Sequence, residues 1–164
     1  FKREALESKG ARFDLSTEFR SIASGLFLTG QVPRLTAYEK GDPHQVIKGA
    51  QGWVQDPLQD DQSVILPTEG GLFVILGCAH AGIVNTLDFA MKQMHEDRIH
   101  TVFGGTHLGP VGEAQREESL NALRTMKIAR LGVSHCTGMK TAVRLAREWG
   151  DRFVFCCVGT VFEG

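Results

Sequence analysis

Three histidines of this chain each stand shortly after an apolar run, and cysteines lie beside two of them. They occur in three segments: Gly77-Cys78-Ala79-His80, Gly104-Gly105-Thr106-His107 and His135-Cys136-Thr137-Gly138. Imidazole and thiolate are preferred ligands of zinc-like ions, whereas imidazole together with carboxylate and water suits Mn or Fe. A single histidine after a strand is more often structural or exposed, but three in equivalent positions favour one shared metal site.

The apolar runs and the periodic segments between them predict the elements that position these histidines. In chain order these are a strand at 72–76, a helix at 83–94, a strand at 99–103, a helix at 113–126, a strand at 128–133 and a helix from Met139. Such alternation predicts an α/β layered fold. Because ligands collect at the carboxyl ends of strands in open α/β sheets, we expect the three segments at one rim of the sheet.

The remaining segments complete a single domain over residues 1–164. They are an irregular or helical lead-in at 1–20 with one short helix near 2–8, a strand at 21–28, a long loop at 30–61, a hairpin of strands at 63–66 and 72–76, and closing strands at 153–158 and 160–162. The helices that begin near Gly82 and Gly138 are expected to point free N–H groups at the same rim, ready to hold a phosphate. The apolar stripe of the last helix is expected to comprise Ala142, Val143, Ala146 and Trp149.

The composition excludes several classes of partner and favours a small-molecule substrate. The formal net charge is −1, so neither a nucleic acid nor an anionic membrane surface is expected as a partner. No apolar run approaches the roughly 20 residues that a membrane-spanning helix needs, and no signal peptide is recognisable. The adjacent Cys156 and Cys157 are a poor framework for disulfides, because neighbours on a strand point to opposite faces. A reduced, cytoplasmic protein is therefore expected.

Other groups that could carry chemistry receive structural interpretations. Three histidines lack a position after a strand and are expected to be structural or solvated: His44, His95 and His100. Cys156 and Cys157 lie in a run of Phe and Val, so both are expected in the core. A nucleophilic role for Cys78 or Cys136 stays an open alternative, and it requires a depressed thiol pKa.

Five blocks of the sequence, in chain order, resemble motifs of the metallo-β-lactamase-superfamily metal-dependent hydrolases. The blocks are Leu28-Thr29-Gly30-Gln31-Val32-Pro33-Arg34, Asp60-Asp61-Gln62, the segment from Gly71 to Thr86, Gly104-Gly105-Thr106-His107-Leu108 and His135-Cys136-Thr137-Gly138. They are similar to the branch that includes ribofuranosylaminobenzene 5′-phosphate (dihydropterin) synthase-like proteins. Five blocks in one order are much more specific than any one of them.

The resemblance implies an αββα sandwich with a dinuclear metal site at one rim. It implies that His80 and His135 are metal ligands and that His107 is a ligand or faces the substrate. It also implies accessory positions for Cys78, Cys136, Thr137 and Asp61. The implied cofactor is a divalent metal, Zn by preference, with Mn or Fe as alternatives. The implied reaction is attack of metal-activated water on a phosphoester, lactone or related bond.

The family's His-x-His-x-Asp-His motif is not in this sequence, which resembles only the C-terminal half of the sandwich, a mixed sheet with about three helices. With fewer protein ligands, metal binding is expected to be weak. The alternative to a hydrolase is a truncated, non-catalytic binding or assembly module that keeps the fold without a full metal site. Half a sandwich leaves one sheet face uncovered, so we expect a homodimer or an N-terminal segment to bury it.

Overall fold

The structure, a computed structural model, describes residues 2–163 of the protein. In chain order its elements are α1 Arg3–Glu7, β1 Arg20–Ala23, β2 Leu26–Leu28, β3 Val46–Gly49, β4 Gly52–Gln55, β5 Ser63–Thr68, β6 Gly71–Leu76, α2 Ile83–Met94, β7 Arg98–Gly105, α3 Glu113–Thr125, β8 Lys127–Ser134, α4 Met139–Trp149 and β9 Phe153–Phe155. Short 3₁₀ turns at His135–Thr137 and Gly150–Arg152 flank α4.

The main sheet has seven strands in the order β1-β2-β5-β6-β7-β8-β9. The strands β1, β2, β5 and β6 pair antiparallel, whereas β6, β7, β8 and β9 run parallel. A separate hairpin is formed by β3 and β4. The predicted α/β fold with a mixed sheet is therefore confirmed, and α2, α3 and α4 lie close to their predicted bounds.

One face of the sheet carries the hydrophobic core. On β6, Leu72, Val74 and Leu76 are buried while Phe73 and Ile75 between them are half-buried, as the alternation of side chains along a strand requires. The buried set packs with apolar side chains from α2, α3 and α4. Because burying one Val, Leu or Ile side chain contributes about 1.5–3 kcal/mol, this contact fixes the helices on that face.

The second face of the sheet is only partly covered. The rings of Phe103 and Phe162 stack with centroids 4.6 Å apart, and Phe73 meets Phe103 edge-on at 5.7 Å. All three rings are half-buried. The C-terminal segment that carries Phe162 therefore shields part of this face and leaves the rest to solvent.

Helix α4 buries a different stripe from the predicted one. Thr141, Ala142, Leu145 and Trp149 are buried, whereas Val143 is 38% exposed. The prediction was wrong for Val143 because adjacent positions on a helix differ by about 100° in direction, and Leu145 lies on the same side as Ala142. Within residues 2–163, no helix is long and apolar enough to cross a membrane.

Three further predicted segments are corrected by the structure. The strand expected at 21–28 is a hairpin, because the chain turns at Gly25, whose φ is 69°. The loop expected at 30–61 contains the β3–β4 hairpin, whose side chains are almost all exposed and so lack the alternation that marks a half-buried strand. The last strand ends at Phe155, and 160–162 are not in a strand. Cys157 is consequently exposed, so its predicted core position was wrong.

Hydrogen bonds of the Asn85 side chain connect the segment between β2 and β3 to the first turn of α2. Its Oδ1 accepts the backbone N–H groups of Leu35 and Thr36, both at 2.9 Å. Its Nδ2 donates to Thr36 Oγ1 and to the carbonyl of Ala81. Every hydrogen-bonding position of this buried amide is therefore used, which fixes the segment beside the rim.

Glu39 caps the N-terminus of α2. Its carboxylate accepts the N–H groups of Val84 and Asn85 at 3.0 and 2.8 Å and the hydroxyl of Ser119 at 2.9 Å. Burial raises the pKa of Glu39, and these hydrogen bonds oppose the rise. The prediction of free N–H groups for a phosphate near Gly82 was therefore wrong, because the protein's own carboxylate accepts them.

Candidate metal centre

The three histidine segments lie at the carboxyl ends of adjacent parallel strands. Cys78 and His80 follow β6, His107 follows β7, and His135 and Cys136 follow β8. Because β6, β7 and β8 are neighbours in the sheet, their ends share one rim. The structure therefore brings these residues to the rim where the sequence placed them.

Asp61 fixes the turn that carries Cys78 and His80. Its Oδ1 accepts the backbone N–H of Cys78 at 3.0 Å, and its Oδ2 accepts that of His80 at 2.7 Å. Between them, Ala79 has a φ of 54°, a left-handed conformation that costs an L-residue about 1–2 kcal/mol. Arg34 donates from Nη1 to the carbonyl of His80 at 3.1 Å. These contacts hold the turn in a conformation that it would not adopt alone.

His80 and His107 lie against each other, with His107 buried and His80 half-buried. Their ring centroids are 4.1 Å apart and their planes are tilted by 53°. The Nδ1 atom of His80 and both ring nitrogens of His107 are buried without a hydrogen-bond partner. Leaving a buried polar atom unpaired costs about 1–3 kcal/mol, so these nitrogens together point to a ligand. His107 also has a φ of 49°, backbone strain of the kind that concentrates at functional sites.

The carboxylate of Asp42 faces this pair. Its Oδ2 lies 3.6 Å from Nε2 of His107, beyond hydrogen-bond length, and both side chains are almost fully buried. The other oxygen, Oδ1, accepts the backbone N–H of His44 at 2.9 Å, which holds the carboxylate in place. Burial, and then the neighbouring His80, lower the pKa of His107, while Asp42 opposes the shift. The lowered pKa favours the neutral imidazole, whose lone pair can bind a cation.

Cys78, His135 and Cys136 form a second group beside the histidine pair. Within residues 2–163 they are the one group of three or more His, Cys, Asp or Glu whose ligand atoms all lie within 4.8 Å of one another. Nε2 of His135 is 3.1 Å from Sγ of Cys78, and its Nδ1 is 3.0 Å from the hydroxyl of Ser134. The backbone N–H of His107 donates to Sγ of Cys136 at 3.2 Å, which connects the two groups.

Gly105 and two threonines allow the segments to approach closely. A Cβ on Gly105 would lie 2.5 Å from Cε1 of His135 and 2.7 Å from Sγ of Cys136, so any larger residue would displace that group. The buried hydroxyls of Thr106 and Thr137 are hydrogen-bonded at 2.9 Å. Thr137 thus joins the end of β7 to the end of β8.

The two thiols at the rim are not activated as nucleophiles. Burial raises the pKa of Cys136 to about 11 and also raises the pKa of Cys78. A nucleophilic cysteine requires a shift in the opposite direction. The contact between Cys78 and His135 therefore does not make a catalytic thiol–imidazole pair, and the alternative of a cysteine nucleophile is disfavoured.

The structure divides the three predicted histidines between two groups, since His80 pairs with His107 and His135 lies with the cysteines. Sequence reasoning missed Asp42 and Glu39, which reach the rim from the long segment before β5. Neither carboxylate belongs to a periodic pattern or motif that would mark it. The one usable signal is the length of the segment, because long connections in compact domains are often functional.

Comparison with known proteins gives two relatives in one archaeon. No protein-family model matches the chain. The chain is 27% identical to the 7,8-dihydropterin-6-methyl-4-(β-D-ribofuranosyl)-aminobenzene-5′-phosphate synthase of Methanocaldococcus jannaschii, over 98% of this chain and 56% of the relative. An uncharacterized protein of the same organism is 29% identical over 93% of this chain and 55% of its own length.

The structure is also similar to the crystal structure of Tm1679, described as a metal-dependent hydrolase of the β-lactamase superfamily. The TM-score is 0.72 at 24% identity, and the match covers 92% of this chain and 57% of Tm1679. The chain therefore has the fold of part of a metallo-β-lactamase-type structure. The resemblance inferred from its five motif blocks, including that to the dihydropterin synthase branch, is confirmed by this fold and by the first relative. The chain spans little more than half the length of the proteins that it matches.

Proposed function

We propose that this chain supplies part of the active site of a metal-dependent hydrolase. The observation that carries the proposal is the pair His80 and His107 at the rim of the sheet, in which Nδ1 of His80 and both ring nitrogens of His107 are buried without a hydrogen-bond partner. Tm1679 shares the fold and is described as a metal-dependent hydrolase, which supports the proposal.

The donor set at the rim fits a divalent cation. We expect His80, His107 and His135 to hold it, with the Asp42 carboxylate orienting His107, as carboxylates commonly do for ligating histidines. Zn is preferred over Mn or Fe because imidazole, with thiols nearby, is a zinc-like ligand set. When bound, such an ion lowers the pKa of water to about 7 and polarises a carbonyl or phosphoryl oxygen.

The chain's own residues orient the site and restrict access to it. Asp61 holds the turn before α2, so the ring of His80 stays beside that of His107. A small cavity next to the pair, lined in part by Glu39 and Leu108, has a volume of about 10 Å³, the space of one water molecule. A substrate therefore reaches the histidines from the open side of the rim, where His135 is exposed.

The proposed reaction is attack of activated water on a phosphoester, lactone or related bond of a small molecule. The first relative is named for a phosphorylated product, which favours a phosphorylated substrate among these. That relative is named a synthase, so the comparisons support the metal site more directly than they support the bond that is broken.

We further propose that the half-buried sheet face around Phe73 and Ile75 is covered by a second copy of the chain, or by the additional segment of longer relatives.

The four cysteines are free thiols in the structure. Because free thiols persist in a reducing compartment, we propose a cytoplasmic location.

Metal analysis tests the proposal. After equilibration with Zn, Mn or Fe, the purified protein is expected to hold near-stoichiometric metal, and a double variant, His80→Ala with His135→Ala, is expected to hold none. The matched control is His95→Ala, because His95 is exposed at the end of α2. Hydrolysis of a nitrophenyl phosphate ester and of a simple lactone is then measured on the same three proteins. A metal-free wild type, unaffected by the double substitution, contradicts the proposal.

The second candidate function is a non-catalytic binding or assembly module that keeps the fold. One observation favours it: within residues 2–163, no group of ligand atoms within 4.8 Å of one another includes all three histidines. A module of this kind would show no metal-dependent hydrolysis even when a metal is bound. Metal content and hydrolysis, measured together, separate the two functions.

A further inference from the structure

The group formed by Cys78, Cys136 and His135 has different donor atoms from the histidine pair. It offers two sulfurs and one nitrogen, all within 4.8 Å of one another. Soft thiolate ligands select ions such as Zn²⁺, whereas Mn²⁺ and Mg²⁺ prefer oxygen donors. The chemistry of this group therefore favours a narrower set of ions than three histidines would.

The spacing of the group is close to what tetrahedral zinc requires. With Zn–S of about 2.3 Å and Zn–N of about 2.0 Å, tetrahedral ligand atoms lie roughly 3.5–3.8 Å apart. The distance from Sγ of Cys78 to Nε2 of His135 is 3.1 Å, so these two side chains must separate by a few tenths of an ångström. His135 is exposed and Cys78 is half-buried, so this adjustment does not disturb the core.

His135 is already oriented as a ligand. Its Nδ1 lies 3.0 Å from the hydroxyl of Ser134, which leaves Nε2 directed at the sulfur of Cys78. Ligating histidines usually donate their second ring N–H to such a partner, which fixes the tautomer. In addition, the group rests directly on Gly105, where a Cβ would fall within 2.7 Å of Sγ of Cys136.

Cys136 has a second contact that fixes the position of its sulfur. The backbone N–H of His107 donates to Sγ at 3.2 Å. This hydrogen bond holds the sulfur at the rim, in the same group as Cys78 and His135.

We propose that Cys78, Cys136 and His135 bind one thiophilic divalent cation, Zn²⁺ in preference to Mn²⁺, and leave its fourth position open to solvent. This inference rests on the proposed function for the location of the site. Because only Nε2 of His135 is free to bind an ion, it assigns His135 to this position and not to the ion of the His80–His107 pair. It adds the two cysteines as ligands and separates this position from the His80–His107 pair.

Cobalt titration tests the inference, because Co²⁺ replaces Zn²⁺ and reports its ligands spectroscopically. Reduced, metal-free protein titrated with Co²⁺ is expected to develop a thiolate-to-cobalt charge-transfer band that saturates at one equivalent and disappears on addition of Zn²⁺. Cys78→Ser and Cys136→Ser are each expected to weaken or abolish this band. The matched control is Cys157→Ser, because Cys157 is exposed and outside the group. Circular dichroism establishes that each variant is folded.

Thiol protection gives a second measurement that does not depend on any variant. Zn²⁺ is expected to slow alkylation of Cys78 and Cys136, mapped by mass spectrometry, without slowing alkylation of Cys157. Mn²⁺ is expected to give no protection. If Zn²⁺ changes the alkylation rate of none of these three thiols, the inference is overturned.

The cobalt band also distinguishes failure of this inference from failure of the proposed function. A band that persists in the double variant His80→Ala, His107→Ala supports a separate thiolate site, whether or not the protein hydrolyses any ester. Cobalt binding without a charge-transfer band overturns the inference, and metal-dependent hydrolysis in that protein would leave the proposed function standing.

Discussion

The carboxylate of Asp61 accepts the backbone N–H of His80 at 2.7 Å and so positions a candidate metal ligand through the main chain. The other oxygen of the same carboxylate accepts the N–H of Cys78. One side chain therefore sets the positions of one residue from each of the two ligand groups at the rim, although it belongs to neither group.

Substituting Asp61 by Asn is expected to weaken both metal binding and the fold. The amide keeps one acceptor oxygen, but its NH₂ group faces the second backbone N–H and leaves it unpaired. The free energy of unfolding in urea is expected to fall by about 1–3 kcal/mol. Zn²⁺ affinity, measured by competition with a chelator, is expected to fall as well. Asp60→Asn is the control, because Asp60 is the exposed neighbour; equal effects of the two substitutions would contradict the positioning role.

Substituting Glu39 by Gln is expected to reduce the stability of the fold without changing metal binding. In Glu39→Gln, an NH₂ group replaces one of the oxygens that accept the N–H groups of Val84 and Asn85. Leaving a buried donor unpaired is expected to cost about 1–3 kcal/mol in the free energy of unfolding, measured by urea denaturation. The exposed Glu69→Gln is the control. Loss of bound metal from folded Glu39→Gln would show that this carboxylate acts in the site itself.

The regular part of the fold could be predicted because its cause is local. The strand β6 and the helix α2 each bury one set of side chains. Apolar residues therefore recur about every two residues along the strand and about every 3.6 residues along the helix. The hairpin of β3 and β4 could not be predicted in this way, because it buries almost nothing and so has no such period.

The location of the candidate site could be predicted from the sequence, but which of its residues contact one another could not. Strand ends specify the rim, and the rim contains His80, His107 and His135 as expected. The contacts among these histidines depend on two residues with positive φ, Ala79 and His107 itself. Nothing in the local composition requires a positive φ at either residue. Such turns are held by tertiary contacts, so they cannot be inferred from the residues that form them.

The acid dependence of stability is expected to follow the carboxylates that pair with Arg144. Hydrogen bonds from Arg144 lower the pKa of Glu117, and those from Arg124 and Arg144 lower that of Glu148. A carboxyl whose pKa is lowered by folding stabilises the native state above its unfolded pKa of about 4.5 and loses that contribution as the pH falls through the lower folded value.

Arg144→Met is therefore expected to reduce the free energy of unfolding at neutral pH, and the difference from wild type is expected to shrink below about pH 4.5. Urea denaturation at several pH values measures this difference. Arg147→Met is the control, since Arg147 is exposed on the same helix. A difference that stays constant on acidification would show that Arg144 acts through packing and not through its charge.

The partly covered sheet face around Phe73 and Ile75 predicts self-association. Phe73, Ile75 and Phe103 are only half-buried on this face, and burying one such side chain contributes about 1.5–3 kcal/mol. Light scattering at micromolar concentration is expected to give the mass of a dimer. Ile75→Lys places a charge in the middle of the face and is expected to shift the protein to monomer, whereas Val143→Lys, on the exposed side of α4, is not. A monomeric wild type would contradict this prediction, because the face would then be stable in water without a partner.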